Sequence, residues 1–138
     1  MKTVLVLDDE ETVLKVIGIY LRRSGYDVAQ ARTPADASEY FTSVNGAVDL
    51  LVADVHLETG NGIELAVGLQ GRNPGLKLIL MSGYSLVSWR EDDTSLLQEL
   101  VGASWRIIEK PFAGADLLSV VRELIDIPMA LKAFQKAN

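Results

Sequence analysis

Five short apolar runs, each stopping at a polar or charged residue and each followed by a stretch of helical spacing, constrain this chain more than any other feature. The runs occupy residues 4–7, 26–31, 48–53, 76–81 and 105–108. Such lengths are too short for an ordinary helix. A near-continuous apolar run of this size predicts a strand covered on both faces, the situation of strands in a parallel sheet. The second run is the weakest, because Asp27 and Gln30 interrupt it.

Between the runs the apolar period changes. Val13, Val16, Ile17, Tyr20 and Leu21 predict a helix over 12–23, with Arg22 and Arg23 in its last turn and Gly25 as its stop. Thr33 and Pro34 predict the cap and first residue of a second helix, whose apolar face is Ala37, Tyr40, Phe41 and Val44. Residues 56–62 read as a loop with two glycines. Ile63, Leu65, Ala66 and Leu69 then mark a third helix. Residues 90–93 read as a solvated loop before a short helix through Leu96, Leu97, Leu100 and Val101. Leu117, Val120, Val121 and Leu124 form the stripe of the last helix, with Leu118 and Ile125 off it. Five strand–helix repeats of about two dozen residues predict an α/β domain: a five-stranded parallel sheet with helices on both faces and the flavodoxin-like order 2-1-3-4-5.

A chain of 138 residues with this pattern reads as one domain over 1–126, with 127–138 as a tail or the start of a linker. The net charge of −6 argues against a general nucleic-acid binder, which would carry a basic stripe. With no cysteine, disulfides and thiolate metal sites are excluded. The first apolar run is too short for a signal-peptide core, and no stretch is long enough to span a bilayer, so the expected location is cytoplasmic.

In a parallel sheet all strand C-termini share one rim. Here that rim collects Asp8 and Asp9 from the first strand, Asp54 from the third, Ser82 from the fourth and Lys110 from the fifth. Three carboxylates in one place repel and raise one another's pKa values. A hard divalent cation with oxygen ligands relieves that repulsion, and Mg²⁺ suits one or two carboxylates plus waters. A lysine facing an aspartate, with a hydroxyl nearby, can hold an anion that the aspartate receives. Together these groups describe a carboxylate nucleophile accepting a phosphoryl group while metal and lysine neutralise charge. Singly, each has a plainer explanation: helix-start acids, a turn cap, an ordinary loop serine, a solvated lysine. Their joint placement at four strand ends favours a functional site. His56 stands alone as the one histidine and reads as a loop-surface residue, while Trp89 and Trp105 read as packing residues.

The chain resembles the receiver domain of bacterial two-component response regulators over residues 2 to 126. The resemblance rests on Leu7-Asp8-Asp9-Glu10, Asp54, Met81-Ser82-Gly83, Lys110-Pro111-Phe112, and Gly62 eight residues after Asp54. It implies that Asp54 takes a phosphoryl group from phosphohistidine on a sensor histidine kinase or phosphotransfer domain. It further implies that Asp9, Asp54 and the backbone carbonyl of His56 hold Mg²⁺, with Asp8 acting largely through water. Ser82 and Lys110 would contact the phosphoryl oxygens, and movement of Ser82 would shift the face formed by the fourth helix, fifth strand and fifth helix. That face is the expected site of a phosphorylation-dependent homodimer. No direct binding to nucleic acid or insertion into membrane is expected, and no enzymatic turnover beyond self-phosphorylation and dephosphorylation.

Two positions depart from the family pattern. Ile107 stands where an aromatic switch residue is usual, with Trp105 on the same strand face. Leu57-Glu58 replaces the common Met-Pro after the phosphoacceptor. The Ser82-Gly83-Tyr84-Ser85 run resembles receivers fused to sensor kinases, so the chain reads as a stand-alone receiver or a piece of a larger hybrid protein. Two other functions stay open at this point. One is a receiver-like interaction domain that needs no phosphorylation. The other is a haloacid-dehalogenase-type phosphohydrolase, which would need an acid where His56 stands.

Overall fold

The computed structural model describes residues 1–83, 89 and 91–126. The expected tail over 127–138, and Tyr84 and Ser85, lie outside the described residues. The element order is β1 (Thr3–Leu7), α1 (Glu11–Arg23), β2 (Asp27–Ala31), α2 (Pro34–Ser43), β3 (Leu50–Asp54), β4 (His56–Leu57), β5 (Gly60–Asn61), α3 (Gly62–Arg72), β6 (Lys77–Ser82), α4 (Glu91–Leu97), β7 (Trp105–Glu109) and α5 (Gly114–Ile125). Five strands form one parallel sheet in the order β2-β1-β3-β6-β7. Counting only those five, this is the expected 2-1-3-4-5 order.

Local chemistry accounts for the element ends. Thr33 accepts a hydrogen bond from the Asp36 amide at 3.1 Å, capping α2, and Pro34 occupies its first turn. Gly25 follows α1 with φ of 93°, a left-handed conformation that glycine adopts without steric cost. The central strand is buried at every residue from Leu50 to Asp54, whereas edge strand β2 is mostly half-exposed, which explains its mixed sequence.

Along the strands, alternate residues join two separate hydrophobic clusters. One contains Leu5, Leu51, Leu78 and Leu80 with Phe41 of α2 and Ile63 of α3. The other contains Val6, Val52 and Ile79 with Ile17 of α1 and Val121 of α5. Burying whole aliphatic side chains contributes roughly 1.5–3 kcal/mol each, so these clusters carry most of the favourable energy.

Three expectations need correction. Residues 56–62 are not a plain loop: β4 and β5 pair antiparallel, His56 with Asn61 and Leu57 with Gly60. Of the expected solvated loop over 90–93, Arg90 lies outside the described residues, and the rest is not a loop: α4 begins at Glu91 and Asp93 is only 3% exposed. The helix ends at Leu97, before Leu100 and Val101. Acids at a helix start complement the positive end of its dipole, so a charge run there need not be solvent-facing throughout. In α5, Ile125 is buried and the partly buried Leu118 packs against the second cluster.

Candidate functional site

Sheet register brings the site together. Leu7 pairs with Ala53, so the next residues, Asp8 and Asp54, emerge side by side at the rim. Asp54 in turn pairs with Met81, and Ser82 with Glu109. The Lys110 amide then donates to the Ser82 carbonyl at 2.7 Å, seating the lysine beside the fourth sheet strand. The Lys110–Pro111 bond is cis.

Lys110 Nζ donates to Asp8 Oδ2 at 2.6 Å and to Asp54 Oδ2 at 3.2 Å, bridging two strand ends. Asp8 is fully buried, and its other oxygen accepts from the Glu10 amide at 2.9 Å. Asp54 Oδ1 accepts from the His56 amide at 3.4 Å. Asp9 Oδ2 accepts from the Glu58 amide at 3.1 Å, tying the β4–β5 turn to the first strand's acids. Ligand oxygens of Asp8, Asp9 and Asp54 all lie within 4.8 Å of one another.

Burial pushes the Asp54 carboxyl above its ordinary value; the Lys110 ammonium opposes that and the Asp8 charge adds to it. For Lys110, burial acts against the charged form. The hydrogen bond to Asp8 and the charges of Asp54 and Asp8 more than offset it, so its pKa is raised. One ammonium therefore faces three carboxylates. The donor set is all oxygen with negative charge to spare, which fits a hard cation such as Mg²⁺.

Gly62 is required by the site's geometry. A Cβ there would fall on the Asp54 backbone carbonyl oxygen, and the Gly62 amide donates to the Val55 carbonyl at 3.0 Å. No larger residue allows α3 to start so close to the end of β3.

The expected residues Asp8, Asp9, Asp54 and Lys110 converge. Ser82 lies at the same rim, 1% exposed, at the end of β6. Sequence reasoning missed a second layer. Trp89 is buried, and its indole Nε1–H donates to Ser82 Oγ at 2.9 Å. The His56 and Trp89 rings stand nearly perpendicular, at 87°, with centroids 6.0 Å apart. Asn61 Nδ2 donates to Asp93 Oδ1 at 2.6 Å, while Asn61 Oδ1 caps α3 by accepting from the Ile63 amide at 2.7 Å. His56 Nε2 lies 3.7 Å from Asp93 Oδ2. An asparagine just before a helical stripe signals a cap. Nothing in the local pattern around Trp89 or Asp93 signals these contacts.

Comparison with known proteins gives one consistent result. A family model described as the response regulator receiver domain matches residues 4–122. Sensor kinase CckA of Brucella abortus is 30% identical over 125 residues, covering 90% of this chain and 12% of that protein. The chain thus spans about an eighth of that relative's length. The crystal structure of a CheY-like receiver domain protein from Methanospirillum hungatei JF-1 has a TM-score of 0.78 and 28% identity, over 91% of this chain and 94% of that one. The response regulator TrrA from Thermotoga maritima, solved in complex with Mg²⁺-BeF, has a TM-score of 0.75 and 25% identity, over 90% of this chain and 99% of that one.

Proposed function

The chain belongs to the response regulator receiver domain family, and on that premise we propose that Asp54 is its phosphoacceptor. The observation that carries this reading is the bridge from Lys110 to Asp54 and Asp8 beside a third carboxylate, all at one end of a parallel sheet. In the transfer, an Asp54 oxygen forms a bond to phosphorus as the phosphorus–nitrogen bond of a phosphohistidine breaks. The departing imidazole keeps the electron pair and takes a proton from solvent. The partner that supplies the group is a sensor histidine kinase or a phosphotransfer domain.

Lys110 Nζ already donates to Asp54, so it is positioned to pair with a phosphoryl oxygen once that carboxylate is phosphorylated. Ser82 supplies a hydroxyl at the same rim. Asp9, Asp54 and the His56 backbone carbonyl are the groups that would hold Mg²⁺, with Asp8 acting through water. The ion would supply charge neutralisation for the incoming phosphoryl oxygens. We read the two hydrophobic clusters as the two faces of the sheet, with α1 and α5 on one and α2 and α3 on the other. No helix of the described residues is long and apolar enough to cross a membrane, in keeping with a role in the cytoplasm.

Acetyl phosphate with Mg²⁺ tests the reading by intact mass. The expected result is one base-labile phosphoryl group, absent in Asp54→Asn. Modification that persists in Asp54→Asn, or steady turnover of external phosphomonoesters, would refute it.

A further inference from the structure

The aromatic residue usual before the lysine is replaced by Ile107, yet Ser82 is not without an aromatic partner. We propose that Trp89 is a positioning residue for Ser82 and that its indole hydrogen bond is exchanged when Asp54 is phosphorylated. This inference rests on the phosphoacceptor reading above.

Trp89 touches the site from two directions. Its Nε1–H donates to Ser82 Oγ at 2.9 Å, and its ring stands nearly perpendicular to that of His56, two residues past Asp54. It is 7% exposed and joins the hydrophobic cluster that holds Phe41 and Ile63. Indole is a donor only, so the bond is directional: it fixes where the serine oxygen sits and has no second mode of binding that oxygen. Ser82 is the last residue of a rigid central-sheet strand. Its freedom is therefore rotation about χ1, and a change of rotamer displaces Oγ far enough to break a bond of this length.

A Ser82 hydroxyl that turns toward a phosphoryl oxygen thus leaves the indole donor behind. A buried donor does not stay unpaired, so Trp89 shifts too. Its neighbours carry that shift onward. Asp93, in the first turn of α4, is held by Asn61 at 2.6 Å and lies 3.7 Å from His56. The same small cluster therefore joins the Asp54 loop, Ser82 and α4. From β7, Trp105 and Ile107 pack against the hydrophobic cluster that contains Trp89.

The test follows the Trp89 indole ¹H–¹⁵N resonance in the ¹⁵N-labelled chain, assigned with Trp105→Phe, while intact mass reports phosphorylation by acetyl phosphate and Mg²⁺. The expected result is an upfield move of the Trp89 indole proton in step with the mass gain. Ser82→Ala should produce an upfield move without phosphorylation. A mass gain with an unmoved indole resonance overturns the role of Trp89 and leaves the phosphoacceptor reading standing. No mass gain overturns both. Trp89→Phe keeps a ring and loses the donor, and should raise the phosphorylation rate several-fold by releasing Ser82. An unchanged rate refutes the positioning role.

Discussion

Lys110 satisfies two carboxylates at once, and one of them, Asp8, has no access to solvent. Truncating it leaves that charge buried and unpaired. Lys110→Ala should therefore lose on the order of 3 kcal/mol of stability without Mg²⁺, remain folded, and recover part of the loss when Mg²⁺ is added. Urea unfolding with and without the ion measures both effects. Tyr26 gives a different titration. Its hydroxyl is pushed up to about 12, by burial first and then by the hydrogen bond to the Asp126 carboxylate. The unfolded chain releases this proton near the ordinary value of 10.0, before the folded one does. The contribution is thus complete below that pH and disappears as pH rises through about 12. Tyr26→Phe should flatten this alkaline limb in a pH series of thermal melts. At this scale the acids, Ser82 and Lys110 were legible, because each stands within two residues of the end of an apolar run. Trp89 and Asp93 were not, because their partners are brought to them only by tertiary packing.

The turn between β3 and α3 shows what an element demands of its residues. Asp54 ends one element and Gly62 starts the next, with the β4–β5 hairpin folded between them. Because a side chain at 62 would meet the Asp54 carbonyl, Gly62→Ala should cost about 1–3 kcal/mol. It should also slow phosphorylation of Asp54 by displacing that carbonyl. A fall in melting temperature with a slower mass gain is the expected pair of readings; an unchanged phosphorylation rate would show that the displacement is absorbed elsewhere. The strands and four of the helices announced themselves through period and caps. The hairpin did not, since two-residue strands containing Gly60 have no period to detect. The start of α4 was misplaced for an electrostatic reason. Asp93 looks like a surface charge in sequence, but the fold buries it, with Asn61 donating a hydrogen bond to one of its oxygens.

Across the whole molecule, the parallel sheet sets both the site and the separation of the two hydrophobic clusters. Leu78 and Ile79 are adjacent in β6, yet one belongs to each cluster. Leu78→Ala should cost about 2–5 kcal/mol and Ile79→Val about 0.5–1.5 kcal/mol. The double variant should equal their sum within about 0.5 kcal/mol, as though the two sites were distant. Denaturant titration of all four proteins would reveal a coupling energy if the sheet failed to insulate them. That insulation has a consequence for how such a chain changes over time. The sheet acts as a partition between two interiors that share a skeleton but little packing. One interior can be rewritten residue by residue without re-solving the contacts around Trp89 in the other. Adjacent codons can then evolve under separate constraints.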